Sequence, residues 1–171
     1  MTTVTSTDQL PEGVCVLSDG GCLNNNKPIA ERSMYGSTTV FNNRKQVASV
    51  LYDGRTAVQH EFEFEHDIDA QDWASNQLAE LLAALEAINY AGQLAERRTK
   101  QGAAPLTITI LSDSEYALGH AQTWRPDKKA HHDTITASQA LKDSVRYAQN
   151  YGATLKFQHV DNVWVKSILG H

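Results

Sequence analysis

The sequence has few of the features that mark secreted or membrane-spanning proteins. It contains two cysteines, Cys15 and Cys22, and their spacing gives neither a zinc pattern nor a disulfide framework. No apolar run approaches the ~18 residues that a membrane helix needs. The polar, threonine-rich start, residues 1–13, lacks the basic and apolar parts of a signal peptide. These absences predict a reduced, cytoplasmic protein that makes no membrane contact.

Positive charge is also scarce. The 15 lysines and arginines are outnumbered by 20 aspartates and glutamates, which gives a formal net charge of -5. Such a chain has no overall attraction for nucleic acid, so a nucleic-acid partner must be held by local charge or through bound cations. Basic residues do cluster at 97–100 and 125–132, although each cluster alone is typical of a solvated surface.

The length of 171 residues fits one domain, and no internal repeat divides it. We expect a flexible leader over residues 1–12 and a single domain over 13–171, whose C-terminal helix is incomplete.

Short β-branched runs predict strands at 14–19, 34–42, 46–52, 106–113 and 154–160. Residues 58–65 alternate between polar and apolar and extend the antiparallel part, either as a separate strand or as part of the third one. Helical periodicity predicts helices at 71–98, 114–124, 133–150 and 163–169, which completes an α/β layer fold.

Two of the predicted strands end on the dipeptide Ser-Asp. The run at 14–19 reads VCVLSD, and the run at 106–113 reads LTITILSD. Each run therefore places a carboxylate, Asp19 or Asp113, where the strand leaves the sheet. Ligands of open α/β sheets bind just outside the carboxyl ends of the strands. Two acids at this place predict a metal or catalytic centre.

The long helix supplies a third acid, Glu80. On a helical wheel this residue lies off the leucine stripe, on the side that carries Ala84, Ala87 and Ala91. Small residues on that side would let the helix lie close to the sheet and bring Glu80 to the ends of the strands. A single helical glutamate is most simply an exposed one, but together with two strand-end aspartates it predicts a carboxylate cluster.

Three stretches of the sequence resemble the motifs of type 1 ribonuclease H. They are residues 17–22 (LSDGGC), 75–85 (SNQLAELLAAL) and 112–116 (SDSEY). Their order and spacing match those of the family. The resemblance implies an RNase H-like fold, in which a mixed five-stranded sheet, three antiparallel strands followed by parallel additions, is flanked by helices. The activity that it implies is metal-dependent endonucleolytic cleavage of the RNA strand in RNA–DNA hybrids.

The resemblance also implies how the acids work. Asp19 would bridge two Mg²⁺ ions, and Glu80 and Asp113 would hold one ion each. Two ions ~3.5–4 Å apart can stabilise both the attacking and the leaving oxygen of an in-line displacement. Mg²⁺ prefers such hard oxygen ligands, and we expect Mn²⁺ to substitute for it. A metallated acidic site attracts phosphate, which removes the objection raised by the negative net charge.

Further positions match substrate contacts of the family. Four positions correspond to contacts with the minor groove and with the 2′-hydroxyl groups of RNA. They are Cys22, Asn25, Asn76 and Gln77. Trp124 and the basic residues after it lie where some members carry a longer basic protrusion. The implied partner is an RNA–DNA hybrid, bound by a monomer without an obligate protein partner.

The fourth acid of the family is missing from the matched motifs. It normally follows a Gly-His on a C-terminal helix, and residues 169–171 (LGH) resemble that Gly-His. His171 would then match the mobile histidine that assists water activation or product release. Either a fourth carboxylate lies beyond His171, or Asp161 or Asn162 replaces it.

Other functions remain open at this stage. A catalytically weak or silent hybrid-binding module would result if the fourth acid were absent. An integrase-, transposase- or resolvase-like DNA nuclease sets acids on the same elements, although in transposases the glutamate usually comes last rather than on the first long helix. A phosphatase of the Asp-x-Asp type would need a second aspartate at the position of Gly21.

Overall fold

The structure, a computed structural model, describes residues 2–47, 50, 60–64 and 74–170, with the backbone alone for residues 60–64. The strands are β1 (Val14–Leu23), β2 (Ser33–Asn42), β3 (Lys45–Val47), β4 (His60–Phe64), β5 (Thr107–Ser112) and β6 (Thr154–His159). The α-helices are α1 (Asn76–Lys100), α2 (Glu115–Gln122), α3 (His132–Asn150) and α4 (Asn162–Leu169). Among the described residues, none of the helices combines the length and the apolar character needed to cross a membrane.

The six strands occupy five positions in one mixed sheet. The order is β3-β2-β1-β5-β6, and β4 also pairs with β2. Because β1 takes one edge of β2, the strands β3 and β4 share the other edge, where they pair with residues 40–42 and 34–38 of β2. The pairs among β1 to β4 are antiparallel, and β5 and β6 add in parallel. This arrangement confirms the predicted mixed sheet.

The first strand is longer than predicted. Its parallel pairing with β5 stops at Ser18↔Ser112, but its antiparallel pairing with β2 continues to Leu23↔Ser33. The expectation that β1 leaves the sheet at Asp19 is therefore wrong. Asp19 instead lies inside β1, directly after the last pair that this strand makes with β5.

The predicted helices begin and end within a few residues of the observed ones. The largest difference is the start of α1, predicted at residue 71 and observed at Asn76. Ser75 caps this helix, because its side chain accepts a hydrogen bond from the Leu78 N–H. Such an N-cap satisfies one of the unpaired donors of the first turn. Residues 71–73 lie outside the described part of the chain.

The two faces of the sheet are covered by different parts of the chain. Along β1, Val14 and Val16 pack into a core formed with α1, α2 and α3, whereas Cys15 and Leu17 pack into a second core formed with α4. This alternation is the period of two that a strand buried on both faces must show. Both cysteines are buried and unbridged, in line with the expectation that they form no disulfide.

The N-terminal segment, residues 2–10, differs from the flexible leader that was expected. Val4 and Leu10 are only 7% and 1% exposed and belong to the core beside α4. Val4 forms a parallel bridge with Val160, just beyond the end of β6. This packing has no signature in the sequence, because two isolated apolar side chains carry no strand or helix period.

Candidate active site

The sheet brings Asp19 and Asp113 together. Ser18 and Ser112 form the last parallel pair between β1 and β5, and each aspartate is the next residue of its chain segment. The two carboxyl groups are hydrogen-bonded to each other. Carboxyl groups can share a hydrogen bond only when at least one of them carries a proton.

Helix α1 reaches the same place because Gly20 leaves room for it. A Cβ atom at this position would lie 2.2 Å from the carbonyl oxygen of Ala79 and 3.0 Å from the backbone nitrogen of Glu80. Only glycine allows this approach of backbone to backbone. Ala84, Ala87 and Ala91, on the helix side expected to face the sheet, are fully buried.

The pKa values show how strongly the acids interact. Burial, followed by repulsion from Asp113 and Glu80, raises the pKa of Asp19 from 3.8 to about 8. Burial likewise raises the pKa of Asp113, against the opposing influence of the Asp19 hydrogen bond. Burial also raises the pKa of Glu80. Neighbouring carboxylates that are half-buried cannot all ionise easily without a compensating cation.

Two residues that the sequence analysis missed hold this cluster. The Ser114 hydroxyl donates a hydrogen bond of 2.7 Å to Oε2 of Glu80 while it also caps α2. The His159 ring contacts the backbone carbonyl oxygen of Asp113 through Nε2, at 3.1 Å. A serine directly before a helical pattern could have indicated Ser114 as a cap, but no local pattern indicates His159.

The predicted substrate contacts lie where β1 meets the start of α1. The Cys22 N–H donates to Oδ1 of Asn76 at 2.7 Å, and the Asn76 N–H donates to Oδ1 of Asn25 at 3.1 Å. The Cys22 side chain is buried, whereas Asn25, Asn76 and Gln77 are exposed. Both asparagines use an oxygen within the protein, so the NH₂ group is the donor that each can offer to a ligand.

A groove of about 690 Å³ continues from Gln77 along α2 and the basic loop at 125–131. Trp124, half-exposed, packs its indole ring against Gly119, where a Cβ atom would come within 2.2 Å of the ring. Arg125 and Lys129 also line the groove. The groove therefore combines an aromatic surface with positive charge, a combination suited to a nucleic-acid backbone and its bases.

The sequence profile of one family, RNase H, matches residues 11–171. The chain belongs to the RNase H family. This membership confirms the resemblance carried by the three acidic motifs. A search of curated proteins finds no match.

Solved structures of RNase H proteins share this fold. The N-terminal RNase H domain of Rv2228c from Mycobacterium tuberculosis has 14% identity and a TM-score of 0.54, with 88% of each chain covered. RNase H1 from the halophilic archaeon Halobacterium salinarum has 14% identity and a TM-score of 0.56, with 88% of this chain and 86% of that chain covered. LC11-RNase H1, isolated from compost and solved in complex with an RNA/DNA hybrid, has 13% identity and a TM-score of 0.52, with 88% and 86% covered.

Asp161 and Asn162, the possible replacements for the fourth RNase H acid, both lie at the start of α4. His171 lies outside the described residues. Asp161 caps α4, because its Oδ2 accepts hydrogen bonds from the Val163 and Trp164 N–H groups at 3.0 and 3.3 Å. Asn162 is the exposed first residue of that helix. The Asp161 carboxylate thus already has a structural role.

A separate group of possible metal ligands stands at the start of α3. Ligand atoms of His131, His132 and Asp133 all lie within 4.8 Å of one another. The His131 Nδ1 atom accepts a hydrogen bond from the Asp133 N–H, as the cap of the helix. Its lone pair is therefore in use, and the positive end of a helix dipole disfavours a cation there.

The three carboxylates of the RNase H motifs fit a divalent cation better. They supply hard oxygen donors, which Mg²⁺ prefers. The repulsion and burial that raise their pKa values would be compensated by a bound cation, since metal ions favour the ionised form of their ligands. The residues that would hold such an ion are Asp19, Glu80 and Asp113.

Proposed function

We propose that this chain is an endoribonuclease that hydrolyses the RNA strand of RNA–DNA hybrids and uses Mg²⁺, with Mn²⁺ as a substitute. The observation that carries the proposal is the convergence of Asp19, Glu80 and Asp113 at one point of an RNase H fold. Carboxylates from two neighbouring strands and one helix meet there, in a family whose name describes this activity.

The electrostatics support a central role for Asp19. It is hydrogen-bonded to Asp113 and is also repelled by Glu80, so it can share a cation with either neighbour. Bound divalent ions would stabilise the charge on the attacking and leaving oxygens of the cleaved phosphodiester. Asp19, Glu80 and Asp113 would hold these ions, with Asp19 as the ligand that both ions share. The Ser114 hydrogen bond keeps the Glu80 carboxylate oriented for this task.

The surroundings of the cluster support a hybrid as the substrate. Exposed amide groups at Asn25, Asn76 and Gln77 can hydrogen-bond to 2′-hydroxyl groups, which distinguish RNA from DNA. The groove beside Gln77 adds the Trp124 ring and the Arg125 charge, which can hold the rest of the duplex against a net charge of -5. An RNA/DNA hybrid is the ligand in the structure of LC11-RNase H1.

The test uses a hybrid in which the RNA strand and the DNA strand are end-labelled in separate reactions, beside a DNA duplex of the same sequence. With Mg²⁺ we expect cleavage of the RNA strand alone. Glu80→Gln should reduce this cleavage by at least about 100-fold. The matched control is Glu86→Gln, because Glu86 is an exposed glutamate of the same helix and should leave cleavage unchanged.

Two other outcomes would replace the proposal. Cleavage of the DNA strand or of the DNA duplex at a comparable rate would indicate a DNA nuclease of the same superfamily. Tight binding of the hybrid without cleavage, in both Mg²⁺ and Mn²⁺, would indicate a silent binding module. Unchanged cleavage by Glu80→Gln would show that α1 does not supply a metal ligand.

A further inference from the structure

The N-terminal segment is anchored without any help from the carboxylates. The Val4 N–H donates to the His159 carbonyl oxygen at 3.1 Å, so the segment lies along the end of β6. The Trp164 Nε1–H donates to Oγ1 of Thr7 at 3.2 Å. Val4 is buried in the core beside α4. The segment therefore has a defined position against the sheet.

One side chain connects this segment to the candidate metal site. The His159 Nδ1 atom lies 3.0 Å from Oγ1 of Thr3, and its Nε2 atom lies 3.1 Å from the backbone carbonyl oxygen of Asp113. A carbonyl oxygen can only accept, so Nε2 must carry the proton. In a neutral ring Nδ1 is then an acceptor, and the Thr3 hydroxyl donates to it.

The hydrogen bond from His159 holds one edge of a single peptide unit. The carbonyl oxygen of Asp113 accepts from His159, and the N–H of the same peptide unit, that of Ser114, donates to Oγ of Ser112 at 3.0 Å. With both edges held, the ψ angle of Asp113 is fixed. The same turn carries the Ser114 hydroxyl that contacts Glu80. The orientation of this peptide therefore influences two of the three acids.

The connection depends on a part of the chain outside the family match. The RNase H profile covers residues 11–171, and Thr3 precedes it. We propose that His159 is a positioning residue for Asp113, and that Thr3 keeps His159 in place, so that the N-terminal segment braces the metal site. This inference rests on the proposed function, in which Asp113 is a metal ligand.

Three substitutions separate the two contacts of the histidine. His159→Gln places an amide nitrogen near the position of Nε2 and keeps the donor to Asp113. His159→Asn places its amide near the position of Nδ1 and cannot reach the Asp113 carbonyl. Thr3→Val removes the hydroxyl at nearly constant volume. The matched control is Thr5→Val, since Thr5 is an exposed threonine of the same segment.

Two measurements on the full chain are needed. Calorimetric titration with Mn²⁺ in the absence of nucleic acid should show binding weakened about 10-fold in His159→Asn. Thr3→Val, which loses one neutral hydrogen bond, should weaken binding about 3-fold. His159→Gln, which keeps the donor to Asp113 but loses the acceptor for the Thr3 hydroxyl, should lose no more affinity than Thr3→Val, and Thr5→Val should bind as the wild type does. Hydrogen exchange of the Ser114 amide, measured without metal, should accelerate about 10-fold in His159→Asn and by no more than about 3-fold in His159→Gln.

The outcomes distinguish this inference from the proposed function. If His159→Asn lowers the melting temperature but leaves Mn²⁺ affinity and Ser114 exchange at wild-type values, His159 is a purely structural residue and the inference is wrong. If the wild type binds no Mn²⁺, the proposed function fails first, and the exchange of the Ser114 amide alone decides whether His159 fixes this peptide.

Discussion

Asp19 and Asp113 stand next to each other in the sheet, but the chain holds them in different ways. Asp19 is held by close packing, because the next residue, Gly20, presses directly on the backbone of α1 at Ala79. Asp113 is held by hydrogen bonds, because it follows the end of β5 and its carbonyl oxygen is bound by His159. Backbone contact with α1 therefore positions Asp19, whereas hydrogen bonds from polar groups such as His159 position Asp113.

The difference determines how each side responds to change. Overpacking a backbone contact costs about 1–3 kcal/mol and sometimes more, because neither backbone can rotate away. Losing a single hydrogen bond costs about 0.5–1.5 kcal/mol, and other groups can take over part of its role. We call the Gly20–Ala79 contact beside Asp19 the packed side of the site, and the hydrogen bonds around Asp113 and Ser114 the hydrogen-bonded side. A substitution on the packed side should therefore disrupt the whole site, whereas a substitution on the hydrogen-bonded side should weaken metal binding only in part.

The largest effect is expected from Gly20→Ala, which breaks the packed side. The new methyl group would lie 2.2 Å from the Ala79 carbonyl oxygen, so α1 must move away from β1 and take Glu80 with it. We expect a loss of about 3 kcal/mol in the free energy of unfolding, together with the loss of cleavage. Thermal unfolding and the hybrid cleavage assay measure the two effects.

The neighbouring glycine is the matched control for this substitution. At Gly21 an added Cβ would meet the ring and hydroxyl of Tyr35, a side chain rather than backbone. Because a side chain can shift, Gly21→Ala should cost less stability than Gly20→Ala. Equal losses for the two variants would contradict the view that contact between β1 and the α1 backbone places Glu80.

An intermediate effect is expected from pH, and it depends on both aspartates. The pKa of Asp19 is raised in the folded protein, from 3.8 to about 8, so between these values the folded state binds more protons than the unfolded state. The contribution of this acid to stability without metal should therefore be fully present below pH 4 and should be lost as the pH rises to 8. Thermal melts in a chelator, taken at several pH values, measure this slope.

Substitution of either aspartate should reduce the pH dependence of stability. Asp19→Asn or Asp113→Asn removes one of the two coupled acids, so either should flatten the fall in melting temperature. Saturating Mg²⁺ should flatten it as well, because a bound cation favours the ionised acids. Glu86→Gln should keep the wild-type slope. A slope that does not change in Asp19→Asn would mean that other groups cause the pH dependence.

The smallest effect is expected from Ser114→Ala, which weakens the hydrogen-bonded side. It removes the cap of α2 and the hydrogen bond to Glu80, at a cost of about 1 kcal/mol. Because that hydrogen bond lowers the pKa of Glu80, its loss should raise this pKa further and weaken Mn²⁺ binding by about 3-fold. Calorimetry and thermal melts measure both changes.

The cap of another helix provides the control. Ser75 caps α1 by accepting from the Leu78 N–H, so Ser75→Ala should lose a similar amount of stability. Among the described residues the Ser75 side chain donates to no carboxylate, so Mn²⁺ affinity should not change. If both variants weaken Mn²⁺ binding equally, the effect of Ser114 comes from lost stability rather than from its contact with Glu80.

The same contrast explains what could be predicted from the sequence. The Asp19 side depends on local patterns, an Asp-Gly after an apolar run and a glutamate on the alanine side of a helix. These patterns point to Asp19 and Glu80, whereas the mixed sheet was implied by the resemblance to ribonuclease H. The hydrogen-bonded side depends on distant partners: His159 is 46 positions from Asp113 and 156 positions from Thr3. No periodicity links such residues, so the contact of His159 with Thr3 and the burial of Val4 and Leu10 could not be predicted.

The end of β1 shows a second limit of sequence patterns. An apolar run marks how far a strand is buried, not how far it is paired. The apolar run stops at Asp19, but polar and glycine residues continue the ladder with β2 to Leu23. Asp19 nevertheless lies next to the end of β5, because the parallel pairing of β1 does stop at Ser18.

Calorimetric titration of Mn²⁺ into the wild type and three single variants tests the central claim most directly. If Asp19, Glu80 and Asp113 form one metal site, then Asp19→Asn, Glu80→Gln and Asp113→Asn should each weaken binding by at least about 10-fold. Glu86→Gln should bind as the wild type does. Wild-type affinity in any one of the three variants would contradict the account, because that acid would then lie outside the metal site.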